Sequence, residues 1–323
     1  MLKFLKKSLV NKIFKINSFL KRLNLFIKNP LNMSLLFPLT HKGLFNVHNF
    51  LIKKFNKFYV LRINRLNNIK FKDYISIDPS KGFRIFQFKN KKVLYESLNF
   101  CKKKFTIKKI LKEAKNLNKK NTLLSLPINI LDKENKPIKK LALHPEIIKP
   151  VGEYLGGLPI LYGSYIWYSP NDINVELIGS QLYHFDREDY RQIKCFIPLK
   201  DISERNGTLN VIPAKKSKEF MNKRRQSEIY QSLKQRFHDS EVHEKIGQEF
   251  EIALKAKIGE IILLDTSNCL HYGSRRSEKP KYHVTFHYIT PFNNKVYKKT
   301  KSITSNEDIL SKSNEELMLD YIT

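Results

Sequence analysis

The chain has 323 residues and sets 60 Lys+Arg against 30 Asp+Glu, a formal net charge of +30. Hydrophobic residues make up 41% and aromatics 12%, enough to bury a core, so a disordered chain is excluded. No run of about 18 apolar residues is present, so a membrane-spanning helix is not expected.

Met1 to Lys28 alternates lysines with Leu, Ile and Phe and lacks the uninterrupted apolar stretch of a signal peptide. Leu2, Phe4, Leu5, Leu9, Ile13, Phe14, Phe19, Leu20 and Leu23 would give a basic amphipathic helix. Packing on its own domain is the leading expectation, and peripheral contact with an anionic membrane surface the second. Residues 1 to 145 as a whole read as a basic, largely helical extension, with helix-like texture from Lys91 to Lys119 and turn signals at Pro79 to Gly82. Cys101, Cys195 and Cys269 are far apart and form no CxxC pair, which suits a reducing compartment and a cytoplasmic location.

The texture changes near Pro145. Pro145 to Leu155 reads as a short helix, Gly156-Gly157-Leu158-Pro159 as a break, and Ile160 to Tyr168 as an aromatic strand. Further strands are predicted at Ile193 to Leu199, Thr208 to Ile212, Glu260 to Leu264 and Tyr282 to Thr290, with a helical insert over about 217–246. Strands in series without a helix between each pair argue for an antiparallel sandwich or barrel. Residues 146–323 are therefore expected to be one mainly β domain with flanking helices.

Within that domain, His184 and Asp186 stand two apart in Gly179-Ser180-Gln181-Leu182-Tyr183-His184-Phe185-Asp186. In extended backbone both side chains point to one side and can reach one ion. His271, after Ile261-Ile262-Leu263-Leu264-Asp265, is the candidate third ligand. Two histidines and one carboxylate on one face leave the opposite coordination positions open, as in Fe(II) oxygenases. A His-x-Asp pair alone is weak evidence, since it is often a capped turn or a surface hydrogen bond.

The order of motifs is more specific. The pair is followed by Ile197-Pro198-Leu199-Lys200-Asp201, then Asn206-Gly207-Thr208-Leu209-Asn210-Val211-Ile212-Pro213, then Gly259-Glu260 and the strand leading to His271. Over about 150–292 this series resembles the phytanoyl-CoA dioxygenase family. The resemblance implies a double-stranded β-helix of jelly-roll type, Fe(II) and 2-oxoglutarate as cofactor and co-substrate, and His184, Asp186 and His271 as iron ligands. It also implies hydroxylation of an unactivated carbon of a small organic substrate. A carboxylate at Asp186, where related halogenases carry a small residue, agrees with hydroxylation.

Two departures from the family pattern stand out. Ala214-Lys215-Lys216 replaces the usual Gly-Ser-His after the second strand's proline, which bears on substrate preference. Lys281 occupies the position where the family has the arginine that pairs with the far carboxylate of 2-oxoglutarate. A lysine supplies the charge without the planar fork, so Arg275 or Arg276 is the alternative anchor. Alternation on the last strand places Lys281, His283, Thr285 and His287 on one polar face. Lys281, Arg275, Gln181 and Thr285 are therefore the candidate co-substrate residues. A solvated edge lysine at 281 is the bland alternative, and Gln181 needs a turn before His184 to reach the site. A small molecule, favoured as anionic by the many lysines, is the expected partner. Nucleic acid is not, because the charge is diffuse and no groove-reading element accompanies it. A catalytically silent binding protein on the same fold, and a basic protein acting on nucleic acid, remain the alternatives.

Overall fold

The computed structural model describes residues 57–71, 73, 75–116, 123–171, 177, 179–227, 236–275, 277–290 and 310–322. The amphipathic stretch Met1 to Lys28 and Arg276 lie outside the described residues.

Among the described residues eleven strands build two antiparallel sheets. The larger contains β1 (Phe83–Gln87), β2 (Leu124–Pro127), β3 (Ile160–Ser169), β5 (Gln192–Pro198), β9 (Glu260–Leu264) and β11 (Lys281–Ile289), in the order β1-β9-β5-β11-β3-β2. The smaller contains β4 (Tyr183–His184), β6 (Leu209–Val211), β7 (Arg236–Phe237), β8 (Ile252–Leu254) and β10 (His271–Gly273), in the order β7-β4-β10-β6-β8. From β3 to β11 the chain repeatedly crosses between the sheets, so that β9-β5-β11-β3 face β4-β10-β6-β8. This winding is the double-stranded β-helix expected from the sequence.

The helices cover the outer faces. Among the described residues five precede β3: α1 (Lys57–Asn67), α2 (Lys91–Lys104), α3 (Ile107–Asn116), α4 (Lys136–Ala142) and α5 (Pro145–Leu155). Leu94, Leu98, Ile138, Ile147 and Val151 from these helices share one core with Ile166, Ile193, Cys195, Ile197, Val284, Phe286 and Tyr288 of the larger sheet. The latter are alternate residues of β3, β5 and β11, so the pleat turns the intervening side chains toward the barrel interior. α6 (Ala214–Ser227) and α7 (Asp239–Ile246) form the insert and cover the smaller sheet, with Phe220, Val242 and Ile246 packed on Tyr183 and Tyr272. α8 (Asn314–Leu319) is stapled to α1 by Arg62. Its buried guanidinium donates to Leu158 O at 3.0 Å, Leu317 O at 2.6 Å and Asp320 Oδ2 at 3.1 Å.

The division expected at residue 145 does not coincide with a boundary in the sheet. β1 pairs with β9 and β2 with β3, so the lysine-rich half supplies both edge strands of the larger sheet. Apolar residues of β1 contribute to the barrel interior beside Ile262 and Leu264. The long helical run expected from Lys91 is two helices, broken at Phe105 and Thr106. Among the described residues no helix is long and apolar enough to cross a membrane, and Cys101, Cys195 and Cys269 are free and buried.

Candidate metal centre

His184 and His271 face each other directly across the β4–β10 ladder, with ring centroids 4.3 Å apart. Asp186 lies just beyond the end of β4, where its backbone N–H donates to Thr266 O at 2.8 Å. Its carboxylate comes within 3.7 Å of His184 Nε2 and 3.6 Å of His271 Nε2. One ligand atom from each of the three residues lies within 4.8 Å of the others, close enough for all three to share an ion.

The protonation states suit ligation. His184 Nδ1 meets Leu182 O at 2.8 Å and His271 Nδ1 meets Cys269 O at 3.0 Å. A carbonyl can only accept, so both Nδ1 atoms carry the proton and both Nε2 lone pairs face the centre. Burial, reinforced by the neighbouring His271, lowers the His184 pKa to about 3, and burial also lowers that of His271. Both imidazoles are neutral at neutral pH. Burial alone would raise the Asp186 pKa, but Lys194, His271 and His184 outweigh it and hold the carboxyl below its usual range. Lys194 Nζ forms an ion pair with Asp186 Oδ2 at 2.7 Å.

The loop that brings His271 into place is held by one carboxylate. Asp265 accepts from Ser267 N at 3.0 Å, Ser267 Oγ at 2.7 Å, Asn268 N at 3.0 Å, Asn268 Nδ2 at 2.8 Å and Tyr154 Oη at 2.8 Å. On the outer face of the smaller sheet Glu251 has a comparable role. It accepts from Tyr183 Oη at 2.5 Å, from Asn210 Nδ2 at 2.6 Å and from Tyr272 Oη, and it pairs with His243 Nε2 at 3.1 Å. Tyr183 precedes His184 and Tyr272 follows His271, so Glu251 ties together the two strands that carry the histidines.

The polar face expected on β11 points inward. Lys281, His283, Thr285 and His287 are all buried, and the β3 residues paired with the last three are Trp167, Tyr165 and Gly163. Trp167 and Tyr165 are half-buried on this face. Gly163 leaves room for the Tyr165 ring, since a Cβ would lie 2.7 Å from Tyr165 Oη and 2.8 Å from its Cε2. Tyr168 and Tyr183 point to the outer faces and belong to the helix-covered cores.

Lys281 is 5% exposed and not a solvated edge residue. Its Nζ donates to Gly207 O at 2.6 Å and lies 3.8 Å from where a Gly273 Cβ would be. Gly273 shares the inward face of β10 with His271, one pleat along, so this ammonium points into the same interior as the triad. Among the described residues no carboxylate pairs with it, and burial lowers its pKa to about 7. His283 Nδ1, Thr285 Oγ1 and His287 Nε2 on the same face are buried with no hydrogen-bond partner.

Arg275 and Gln181 lie elsewhere than the sequence suggested. Ser274 has φ +61°, and the chain turns there so that the Arg275 guanidinium lies 3.3 Å over the ring of Tyr272, on the outer face of the sheet. It donates to Asp239 Oδ2 at 2.8 Å and to the Gln181 carbonyl. The Gln181 amide donates to Ser274 O at 2.9 Å. Both residues fasten the loop after β10 to the turn before β4. Lys194 and Glu251 were not foreseen. Lys194 left a signal, a lone charge in the otherwise apolar Ile193-Lys194-Cys195-Phe196-Ile197, whereas Glu251 left none.

The fold and site thus define a class, a double-stranded β-helix with a two-histidine, one-carboxylate metal centre in its interior. No family model matches the sequence, and no curated protein matches it. Among solved structures the chain is similar to the non-heme monooxygenase ThoJ, at 14% identity and TM-score 0.44 over 66% of this chain and 75% of that one. It is similar to EctD from S. alaskensis with bound Fe, at 14% identity and TM-score 0.44 over 71% and 83% of the two chains. It is also similar to the epimerase SnoN in complex with Fe3+, alpha ketoglutarate and nogalamycin RO, at 11% identity and TM-score 0.42 over 65% and 80%. These likenesses are remote, and the chemistry is carried by the side chains of the site.

Proposed function

We propose that the chain is a non-haem Fe(II)- and 2-oxoglutarate-dependent dioxygenase that hydroxylates an unactivated carbon of a small organic substrate. The observation that carries this reading is a buried ammonium, Lys281, that no carboxylate among the described residues pairs with and that faces the same interior as the triad of His184, Asp186 and His271. A buried charge is costly unless paired, so the site is built to receive an anion. A diacid that chelates the metal through one end and meets Lys281 with the other fits that requirement.

When bound, Fe(II) with 2-oxoglutarate supplies the oxidising chemistry, consuming O₂, releasing succinate and CO₂ and placing one oxygen atom in a C–H bond. The protein's residues prepare for it. His184 and His271 offer Nε2 lone pairs because Leu182 O and Cys269 O hold their protons on Nδ1. Asp186 stays ionised and supplies the anionic ligand. Lys281, fixed by Gly207 O, receives the far carboxylate, and the absent side chain at Gly273 leaves room for it. Thr285 offers an unsatisfied hydroxyl to the polar ligand, and Tyr165 and Trp167 line the same inner face from β3. Anion pairing would raise the Lys281 pKa again, so co-substrate binding is linked to proton uptake near neutral pH.

The reading is tested by incubating the purified protein aerobically with Fe(II) and 2-oxoglutarate and following succinate by NMR, with Asp186→Ala as control. Slow uncoupled succinate formation in the wild type and none in the variant is expected. Equal background in both would overturn it.

A further inference from the structure

The interior carries a second cation that this role for Lys281 leaves unused. Lys194 is an inward residue of β5, whose neighbours Ile193 and Cys195 face the helix-covered core. Its side chain is 22% exposed, and its ammonium is paired with Asp186 Oδ2 at 2.7 Å. Directly across the β5–β11 ladder stands His287, whose buried Nε2 has no hydrogen-bond partner. The ring of His287 is fixed edge-on against Tyr162, centroids 5.0 Å apart. An unpartnered ring nitrogen and an ammonium therefore lie side by side next to the metal ligands.

Lys194 pairs with Asp186 in the metal-free protein, where that carboxylate has its full charge to give. A divalent metal on Asp186 takes up that charge and places further positive charge beside the ammonium, weakening the pair by simple electrostatics. Lys281 cannot share an anion with Lys194. It leans to the Gly207–Gly273 end, while Lys194 is level with His287, six residues further along β11 and about 20 Å away along the strand. Even with both side chains reaching inward, a five-carbon diacid that bridges the metal to Lys281 leaves Lys194 with no anion beyond the weakened pair with Asp186. Glu188 is the rival protein group, close enough to favour the charged form of Lys194. It is half-buried, however, and already accepts from Gln192 Nε2 at 3.1 Å.

Resting on the metal and co-substrate reading above, we propose that Lys194 Nζ and His287 Nε2 form an anion subsite that receives a carboxylate of the substrate, so that the enzyme acts on a carboxylic acid. The carboxylate oxygens accept from the ammonium and, with its proton on Nε2, from the imidazole of His287. The acid's carbon chain is thereby held over the metal from the side opposite Lys281.

Trp167, the single tryptophan, lies on the same inner face and reports on occupancy by its fluorescence. Protein loaded with Zn(II) and 2-oxoglutarate is titrated with hexanoate and, separately, with its uncharged counterpart hexanamide. Hexanoate is expected to bind at least about tenfold more tightly, in line with the strength of a charge-assisted pair. Lys194→Met and Lys194→Gln should each remove that preference while changing 2-oxoglutarate affinity by less than about twofold. His287→Phe should weaken hexanoate alone. Equal affinity for acid and amide in the wild type, or an unchanged preference in both Lys194 variants, would overturn the proposal. Loss of 2-oxoglutarate affinity in those variants would overturn it too, by placing Lys194 on the co-substrate. If the wild type takes Zn(II) but no 2-oxoglutarate, the co-substrate reading falls. The acid-to-amide ratio in wild type and variants, measured on the Zn(II) form, then still decides the role of Lys194.

Discussion

Replacing Lys281 by methionine should stabilise the ligand-free protein and abolish its use of 2-oxoglutarate. Burial lowers the ammonium's pKa from 10.5 to about 7. The unfolded chain keeps that proton up to about its ordinary value, whereas the folded protein loses it near pH 7, so between these values the unfolded state binds more protons. Stability therefore rises with pH across that window, and below pH 7 the folded protein bears the whole cost of the buried charge. At about 1.4 kcal/mol per pKa unit the ceiling on that cost is about 5 kcal/mol. The hydrogen bond to Gly207 O is lost in the variant, so a net gain of about 1–2 kcal/mol at pH 6.5 is the expected size. The gain should vanish as pH rises, and at pH 9.5 the variant should be the less stable, because the neutral amine carries no charge cost while the bond to Gly207 O is still lost. Urea denaturation of ligand-free wild type and Lys281→Met at pH 6.5 and pH 9.5, combined with 2-oxoglutarate titrations of the Fe(II) forms, measures both effects. A variant that is less stable than the wild type at both pH values and still binds 2-oxoglutarate equally well would refute the reasoning.

Other perturbations follow from the same structure. Ligand-free protein should lose stability as pH falls from about 6.5 toward 3, because His184 and His287, both held neutral to about pH 3, must charge on unfolding. Saturating Zn(II) should steepen that loss by competing with protons for Nε2, which pH-dependent thermal melts with and without metal will show. Glu251→Gln removes the charge that four partners surround, and should weaken metal binding by about tenfold or more, as outer groups behind histidine ligands commonly do. Competition with a chelator measures this, and circular dichroism checks that the fold survives. Arg62→Met leaves Asp320 buried opposite only Lys312 and should cost about 3 kcal/mol in urea denaturation.

What could be read from the sequence followed from where local pattern and tertiary structure agree. β9 falls at Glu260–Leu264 and α5 at Pro145–Leu155, as their apolar run and proline start require. On β11 the two-residue alternation separates Tyr282, Val284, Phe286 and Tyr288, which pack under the helices, from the polar residues that face the interior. The edge strands β1 and β2 were hidden, because Phe83–Gln87 and Leu124–Pro127 are four or five residues long within a lysine-rich half whose composition favours helix. β4 and β7 are two residues each, too short for any periodicity. Arg275 was misplaced because one left-handed residue, Ser274, carries the chain to the other face, and nothing in Ser274 announces that turn. Glu251 acts through partners 8 to 68 positions away, a relation that only folding creates.

Anaerobic addition of Fe(II) and then 2-oxoglutarate to the purified protein tests the central claim most directly, by the weak visible charge-transfer band of chelated 2-oxoglutarate. The band should appear in the wild type at a one-to-one ratio of iron to protein and be absent from His184→Ala. No band despite bound iron, or an equal band in the variant, would contradict the account.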